Sequence, residues 1–214
     1  MTLKNELQQI RLSLEDQLKP TEIAAIDRAI QELSDSGADA RALQAGEKAP
    51  EFAFEQPDGS LLRSTDLLAR GPVVLSFQRG SWCPFCATEL QFLERHADRM
   101  RALGASILAV TPEPLERSVA FAKGLHVRFP VLSDEHNAVA RRFRLELEQG
   151  DPLRDLFFAF GPDAERFARV ELPELPIPAT YVIDPSGLVR YAFTRTDYHL
   201  RAEPAVLLEE LRKI

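Results

Sequence analysis

The sequence predicts an α/β fold in which a central mixed sheet is flanked by helices and preceded by a helical extension. Short apolar runs alternate with helix-patterned stretches between residues 73 and 143, and such alternation is typical of parallel strands joined by crossover helices. The turn Pro185-Ser186-Gly187 joins two further apolar runs, which predicts an antiparallel pair at the edge of the sheet. Parallel and antiparallel pairing together make the sheet mixed.

Residues 1–46 show two amphipathic helical patterns and no strand. Apolar residues recur every three or four positions from Leu3 to Leu18 and again from Ile23 to Leu33. We therefore predict a helical N-terminal extension over 1–46 and a main domain over 47–214. The extension either packs on that domain or serves as a dimerisation arm. A dimerisation arm is considered because a leucine stripe of barely two heptads is not stable alone. Of the two, we favour packing.

The boundaries of the elements in the main domain follow from turn and capping residues. Pro84 suits the first turn of a helix, where its missing N–H group is not needed, and Asp151-Pro152 is a good N-cap and first-turn pair. The predicted strands are 52–54, 61–62, 73–77, 106–110, 127–131, 180–183 and 189–193, and the predicted helices are 64–68, 84–103, 116–122, 134–143, 151–160 and one beginning at Pro204.

Composition and charge exclude several classes of function. With 45% hydrophobic and 28% charged residues, the chain of 214 residues has the composition of an ordinary globular protein. Its net charge of −7 argues against electrostatic binding of nucleic acid or of an anionic membrane. The N-terminus does not resemble a secretory signal, and no apolar run approaches the ~20 residues that span a bilayer. The expected location is the cytoplasm, which keeps thiols reduced.

The only two cysteines lie three residues apart in Trp82-Cys83-Pro84-Phe85-Cys86, between a buried strand and the longest helix. A Cys-x-x-Cys at a strand-to-helix turn can close a disulfide within one helical turn and reopen it, so it predicts redox chemistry. Cys83 is expected at the helix N-terminus, where unpaired N–H groups and the helix dipole favour the thiolate. Cys86 follows one turn later, within reach of an oxidised Cys83.

A zinc site is the alternative interpretation of this spacing. A structural zinc ion needs four ligands, usually two close pairs. The histidines show no paired spacing; they are His96, His126, His136 and His199. The sequence therefore predicts neither a metal nor another cofactor.

Three segments resemble the peroxiredoxin-like redoxins, the alkyl hydroperoxide reductase and thiol-specific antioxidant family, whose members have a thioredoxin-like fold. These segments are Arg79 to Cys86, Pro178 to Asp184 and Asp197-Tyr198. By this resemblance the fold is thioredoxin-like over nearly all of 47–214.

The resemblance also implies roles for individual residues. Cys83 would be the nucleophile and Cys86 the resolving cysteine, with Trp82 packed beside them at the rim. Pro178 would be a cis proline that faces the cysteine turn. Arg79, four residues before Cys83, is a candidate to lower that thiol's pKa by its charge, with a solvated surface arginine as the alternative. The same end of the sheet is expected to hold Asp197, Tyr198 and Arg201.

The sequence departs from that family at the residues that orient a peroxide. The family carries a proline seven residues and a threonine three residues before its attacking cysteine. Counted from Cys83, these two positions hold Ser76 and Gly80. Counted from Cys86, they hold Arg79 and Cys83. Pro178 also stands where the family has an arginine. Because one donor aimed at the developing charge is commonly worth ~3 kcal/mol, Arg79 or the backbone of the turn would have to substitute.

The expected function is that of a thiol-based antioxidant oxidoreductase. It would reduce hydroperoxides through a Cys83 sulfenic acid and a Cys83–Cys86 disulfide, recycled by glutathione or by a thioredoxin- or glutaredoxin-like protein. A thioredoxin-like thiol-disulfide oxidoreductase with disulfide substrates is the alternative, and a non-enzymatic redox sensor is the second alternative. No nucleic-acid or membrane partner is expected, and a homodimer stays open.

Overall fold

The computed structural model describes residues 2–147 and 175–214, so the helix predicted over 151–160 lies outside the described residues. Within them the strands are β1 (Ala53–Glu55), β2 (Leu61–Arg63), β3 (Val73–Phe77), β4 (Ser106–Thr111), β5 (Val131–Ser133), β6 (Ala179–Ile183) and β7 (Val189–Thr194). The helices are α1 (Leu3–Glu15), α2 (Pro20–Asp35), α3 (Ala38–Arg41), α4 (Ser64–Leu68), α5 (Pro84–Ala102), α6 (Leu115–Gly124), α7 (Ala138–Arg142) and α8 (Pro204–Leu211), with a 3-10 turn over Glu135–Asn137.

The main sheet has the strand order β5-β4-β3-β6-β7. Strand β3 pairs in parallel with β4 and antiparallel with β6, while β4 and β5 are parallel and β6 and β7 antiparallel. The predicted α/β class and mixed sheet are confirmed. All five residues of β3 are buried, as expected for a strand that is covered on both faces. The cysteine turn therefore leaves the sheet from its centre.

The N-terminal helices pack on the body of the protein. Leu3 and Leu7 of α1 are almost completely buried, in one apolar cluster with residues of α5 and α8 such as Leu93 and Leu207. This packing is the arrangement that the sequence favours over a free arm. The domain boundary after residue 46 and a homodimer stay predictions.

Two predicted elements have different boundaries in the structure. The strand predicted over 127–131 is wrong, since β5 is Val131–Ser133. The residue before it, Pro130, has no N–H group to donate and contributes only its carbonyl, which accepts from the Ala109 N–H group. The helix predicted over 134–143 is interrupted, because His136 and Asn137 have left-handed backbone angles (φ of 64° and 54°).

Helix length also bears on the question of a membrane span. In the described ranges, no helix combines the length and the apolar composition that crossing a bilayer requires.

Candidate active site

The cysteine turn begins helix α5. Cys83 is the N-cap residue, its backbone is extended, and Pro84 occupies the first helical turn, as predicted. The Cys83 N–H group donates to the Gly80 carbonyl at 3.2 Å, and the Cys83 carbonyl accepts from Ala87 N–H at 3.0 Å. Cys86 therefore lies on the first turn of the helix, on the side that faces the end of β3.

Both sulfur atoms are buried and reduced. Cys83 is 1% exposed and Cys86 0%. The sulfur of Cys86 accepts hydrogen bonds from the backbone N–H of Arg79 at 3.4 Å and from Nη2 of Arg201 at 3.4 Å. The second donor carries a full positive charge, and it comes from a residue that lies far away along the chain.

This geometry favours the thiolate form at Cys86 over the thiolate form at Cys83. Burial raises the pKa of Cys86, but the Cys83 hydrogen bond, the Arg201 charge and the Arg79 N–H group outweigh it and bring that pKa to about 5. Burial raises the pKa of Cys83, and the hydrogen bond to Cys86 and the negative charge there raise it further. The net pKa of Cys83 is therefore raised, contrary to expectation, although the Arg79 charge lowers it as predicted and the Arg201 charge lowers it too.

Arg201 also forms an ion pair with a second buried anion, Glu89. The Arg201 Nε atom lies 2.7 Å from Oε2 of Glu89, and both side chains are at most 2% exposed. Burial raises the pKa of Glu89, although the Arg201 charge and hydrogen bonds oppose this rise. Those hydrogen bonds come from Thr180 at 2.8 Å, Gln78 at 3.1 Å and Ser76 at 3.2 Å. A polar network thus connects α5 to β3 and β6 behind the cysteines.

Arg79 and Trp82 lie together at the site. The Arg79 side chain is 2% exposed, which excludes the alternative of a solvated surface arginine. Its guanidinium carbon lies 5.0 Å from the ring centre of Tyr198 and 5.4 Å from that of Trp82. Trp82 is half-buried. These two residues therefore form a positively charged and aromatic border at the turn.

The backbone of the turn depends on Gly80 and Glu113. Gly80 has a φ of 144°, and a Cβ atom there would come within 2.5 Å of Nε1 of Trp82. The Glu113 carboxylate accepts from the Ser81 N–H group at 2.6 Å and from the Ser81 hydroxyl at 2.9 Å. The turn is thus tied to the loop that follows β4.

The structure corrects the cis assignment for Pro178. Among the described residues no peptide bond is cis, so Ile177–Pro178 is trans, the form that an X–Pro amide favours. The Ile177 N–H group donates to the Leu145 carbonyl at 2.8 Å, which holds the chain extended as it enters β6. Because Ala179 pairs with Phe77, the buried Pro178 lies at the same end of the sheet as the cysteine turn.

Aromatic residues of the segment after β7 cover the cysteine turn. The Phe85 ring packs edge-on against Tyr198, with centroids 5.4 Å apart, and against His199 at 4.9 Å. The His199 Nδ1 atom lies 2.8 Å from Oδ1 of Asp197. The sequence expectation that Tyr198 and Arg201 reach this end of the sheet is confirmed by their contacts.

Sequence reasoning missed Glu89 and Glu113. Glu89 lies three residues after Cys86 on the same helix, and this spacing places two side chains on one face. The Cys-x-x-Glu spacing was therefore a usable signal. Nothing near Glu113 in the sequence announces its contact with Ser81, since that contact joins two separate loops.

Of the histidines, His199 packs against Phe85 in the cysteine turn. His96 bonds through Nδ1 to the Phe92 carbonyl at 2.8 Å. In the part of the chain that the structure describes, no three His, Cys, Asp or Glu side chains form a group that suits a metal ion. That the site uses neither metal nor cofactor stays a prediction.

Comparisons with known proteins agree with the predicted family resemblance. Peroxiredoxin 2 of Thermoplasma acidophilum is 31% identical over 121 residues, which cover 52% of this chain and 59% of that protein. The thiol-disulfide oxidoreductase ResA of Bacillus cereus is 30% identical over 99 residues, which cover 46% of this chain and 56% of that protein. The chain therefore spans less than two thirds of the length of these relatives.

Solved structures show the same architecture. Peroxidoxin BcpB from Mycobacterium tuberculosis has a TM-score of 0.61 at 23% identity, over 80% of this chain and 98% of that one. This likeness confirms the predicted thioredoxin-like fold. The model of the AhpC/TSA family matches residues 45–192, which is well over half of the sequence. The chain therefore belongs to the AhpC/TSA family.

Proposed function

We propose that the protein is a thiol-dependent peroxidase that reduces hydroperoxides with its cysteine pair. The observation that carries this proposal is the pair of donors on the Cys86 sulfur, the Arg201 guanidinium and the Arg79 N–H group. A thiolate is the reactive form of cysteine, and these donors favour it at neutral pH. Membership of a family whose relatives include peroxiredoxins supports the same chemistry.

Cys86 attacks in this proposal, which reverses the roles that the resemblance implies. Counted from Cys86, the position of the family's threonine is held by Cys83, whose thiol donates a hydrogen bond to the Cys86 sulfur. The neighbouring cysteine therefore takes the place of the missing hydroxyl donor. A thiol is a weaker donor than a hydroxyl, so turnover slower than with a threonine at this position is expected.

The reaction balances with the groups present. The Cys86 thiolate attacks one oxygen of ROOH, the O–O bond breaks, and the departing alkoxide takes the Cys83 proton to give ROH and a Cys86 sulfenic acid. The Cys83 thiolate then attacks that sulfur and expels hydroxide, which solvent protonates to water, leaving a Cys83–Cys86 disulfide. Two external thiols reduce the disulfide and are oxidised to a disulfide themselves.

Access to the sulfurs limits the substrate class. Both are covered in this structure, so an oxidant reaches them only after side chains at the turn move. Trp82 is half-buried and Pro84 exposed, which makes this side the entry route. Small hydroperoxides are the proposed substrates, and glutathione or a thioredoxin- or glutaredoxin-like protein in the cytoplasm is the proposed reductant.

A second candidate is thiol-disulfide exchange with disulfide substrates. It is favoured by the intact Cys-x-x-Cys at a helix N-terminus and by the likeness to ResA. In that reaction the solvent-side Cys83 attacks first. Arg201 argues against this order, because its charge stabilises the inner sulfur.

Rapid mixing of the reduced protein with hydrogen peroxide tests the proposal. Cys83→Ser is expected to accumulate a sulfenic acid, trapped by dimedone at Cys86, faster than free cysteine reacts. Cys86→Ser is expected to lose this rapid phase. A sulfenic acid formed rapidly at Cys83 in the Cys86→Ser variant would reverse the assigned roles. Oxidation of the wild-type pair no faster than that of a free thiol would exclude the peroxidase, and rapid insulin reduction would then support exchange.

A further inference from the structure

Arg201 lies on a segment of irregular backbone. Residues 195–203, called here the arginine segment, connect the end of β7 to the start of α8 and contain neither helix nor strand. Such a segment has few backbone bonds of its own, so outside contacts must fix it. The Arg201 side chain is buried and bonds to carbonyls of the same segment, at Tyr198 and Leu200. The guanidinium therefore moves with its backbone.

The first anchor of this segment is Glu203, two residues after Arg201. Its carboxylate accepts the Lys4 N–H group at 2.7 Å and the Leu3 N–H group at 3.2 Å. These are orphan donors at the start of α1, where the helix dipole also favours a negative charge. Glu203 is at the same time the N-cap residue of α8. One side chain thus joins the start of α1 to the end of the arginine segment.

The other end of the arginine segment is held by α3. The carboxylate of Asp39 accepts the Thr196 N–H group at 2.6 Å, and its carbonyl accepts from the Thr194 hydroxyl at 3.3 Å. Arg11 of α1 adds an electrostatic contact in between. Burial opposes the ionisation of Asp197, but bonds to His199 and the Arg11 charge hold the pKa of Asp197 below its usual range.

Helix α1 also contacts the cysteine helix. Leu3 and Leu7 share an apolar cluster with Leu90 and Leu93 of α5. The N-terminal helices therefore bridge the helix that carries Cys86 and the segment that carries Arg201. The 3.4 Å contact between Arg201 and Cys86 joins the same two elements directly.

We propose that the N-terminal helices position Arg201 against Cys86, and that Glu203 and Asp39 are the positioning residues through which they act. The effect of this positioning on catalysis rests on the proposed peroxidase function, but the positioning of Arg201 itself does not. The groups that act on the Cys86 sulfur are the Cys83 thiol, the Arg201 guanidinium, the Arg79 backbone N–H group and the Glu89 carboxylate. Displacing Arg201 leaves the thiolate with the Arg79 contacts and with the opposing carboxylate.

Direct electrostatics and positioning predict shifts of opposite sign in the pKa of Cys86 when Glu203 or Asp39 is replaced. Removing the negative charge of Glu203 or Asp39 would by itself favour the Cys86 thiolate, since a like charge disfavours it. Losing the anchor would move Arg201 away and disfavour the thiolate. In a variant that stays folded, which circular dichroism over the same pH range checks, a rise in the pH at which the thiolate forms is therefore specific to positioning.

The test is a titration of thiolate absorbance near 240 nm in the full-length reduced protein. Glu203→Ala and Asp39→Ala are expected to raise the midpoint by about one pH unit, since Arg201 is the nearest charge that favours the thiolate. Glu203→Gln keeps one acceptor oxygen and should raise it less. The matched controls Glu209→Ala on α8 and Asp35→Ala at the end of α2 should leave it unchanged.

Unchanged or lowered midpoints in both alanine variants would overturn the proposal. If an alanine variant does not fold, Glu203→Gln and Asp39→Asn decide by the same criterion. Because the titration uses no peroxide, its outcome is independent of the proposed function. If the alanine variants show the expected rise in midpoint but the protein does not react with peroxide, the peroxidase function is rejected and the positioning role is kept.

Discussion

Arg201 lies between two buried anions: its Nη2 atom is 3.4 Å from the Cys86 sulfur, and its Nε atom is 2.7 Å from a Glu89 carboxylate oxygen. One guanidinium thus contacts both the Cys86 sulfur and a buried carboxylate, although burial raises the pKa of Glu89. In the proposed reaction, oxidation to the disulfide would remove the negative charge on Cys86 but not the Glu89 side chain. The balance of charge around Arg201 therefore changes with the redox state of the cysteines.

Replacing Arg201 should weaken the thiolate directly. In Arg201→Met, the reaction with hydrogen peroxide at pH 7 is expected to slow at least ~10-fold, because the charge that favours the thiolate is gone. Part of this deficit should disappear at pH 9.5, where solvent ionises the thiol. Arg212→Met, on the exposed C-cap of α8, is the control. Stopped-flow rates at both pH values check this. A rate deficit of equal size at both would show that Arg201 does not act by favouring the thiolate.

Glu89→Gln should shift the redox equilibrium of the pair. The amide can keep hydrogen bonds to the network, but Arg201 then has only the Cys86 thiolate as an anionic partner. The disulfide form would leave that buried charge uncompensated, so reduction becomes more favourable. A midpoint potential at least ~30 mV higher is expected, which corresponds to ~1.4 kcal/mol for two electrons. Titration against glutathione measures it. Glu94→Gln, on the same helix and paired with Arg128, should leave the potential unchanged.

The stability of the reduced protein should depend on pH through Cys86. Its pKa is about 5 when folded against an ordinary 9.0, so between these values the unfolded chain binds a proton that the folded one does not. Its contribution to stability is full above pH 9 and is lost as the pH falls through 5. Cys83, whose pKa is raised, contributes below pH 9 and loses that contribution as the pH rises further.

Comparison with a variant isolates this contribution. The difference in unfolding free energy between the wild-type protein and Cys86→Ser should grow by roughly 2–4 kcal/mol from pH 5 to pH 8. Urea unfolding under reducing conditions measures it at both values. A difference that does not change with pH would show that Cys86 is not the ionised sulfur.

Gly80→Ala should disturb the turn that holds the cysteines. A Cβ atom at a φ of 144° and within 2.5 Å of the Trp82 ring nitrogen forces backbone or ring to move. A loss of ~1–3 kcal/mol is expected for such a strained position, together with slower peroxide reduction. Gly124→Ala, where the added atom meets nothing within 4 Å, is the control. Equal stability of the two variants would contradict the steric argument.

Local patterns predicted the elements that position the cysteines. Strand β3 is apolar at four of its five residues, and Pro84 marks the helix start after it, so both follow from short-range sequence. Strand β5 was misplaced because the residues before Val131 look like a strand but end in a proline. A cis Pro178 was expected only from the family resemblance, and the structure has this proline in the trans form.

Local sequence patterns could not predict which of the two sulfurs the Arg201 charge would contact. Arg201 reaches Cys86 across 115 residues of sequence separation, and its anchor Glu203 binds α1 at the opposite end of the chain. Helix N-terminal effects alone favour Cys83, whereas the tertiary contacts favour Cys86. The roles proposed for the two cysteines therefore depend on long-range packing that no motif spacing reveals.

The central claim is that Cys86 is the thiolate of the reduced pair. Absorbance near 240 nm, followed from pH 4 to pH 10, tests it without a substrate or an access route. The wild-type protein and Cys83→Ser are expected to gain thiolate absorbance at low pH, with a wild-type midpoint near pH 5, while Cys86→Ser shows none below about pH 8. A low-pH thiolate that survives in Cys86→Ser and disappears in Cys83→Ser would contradict the account.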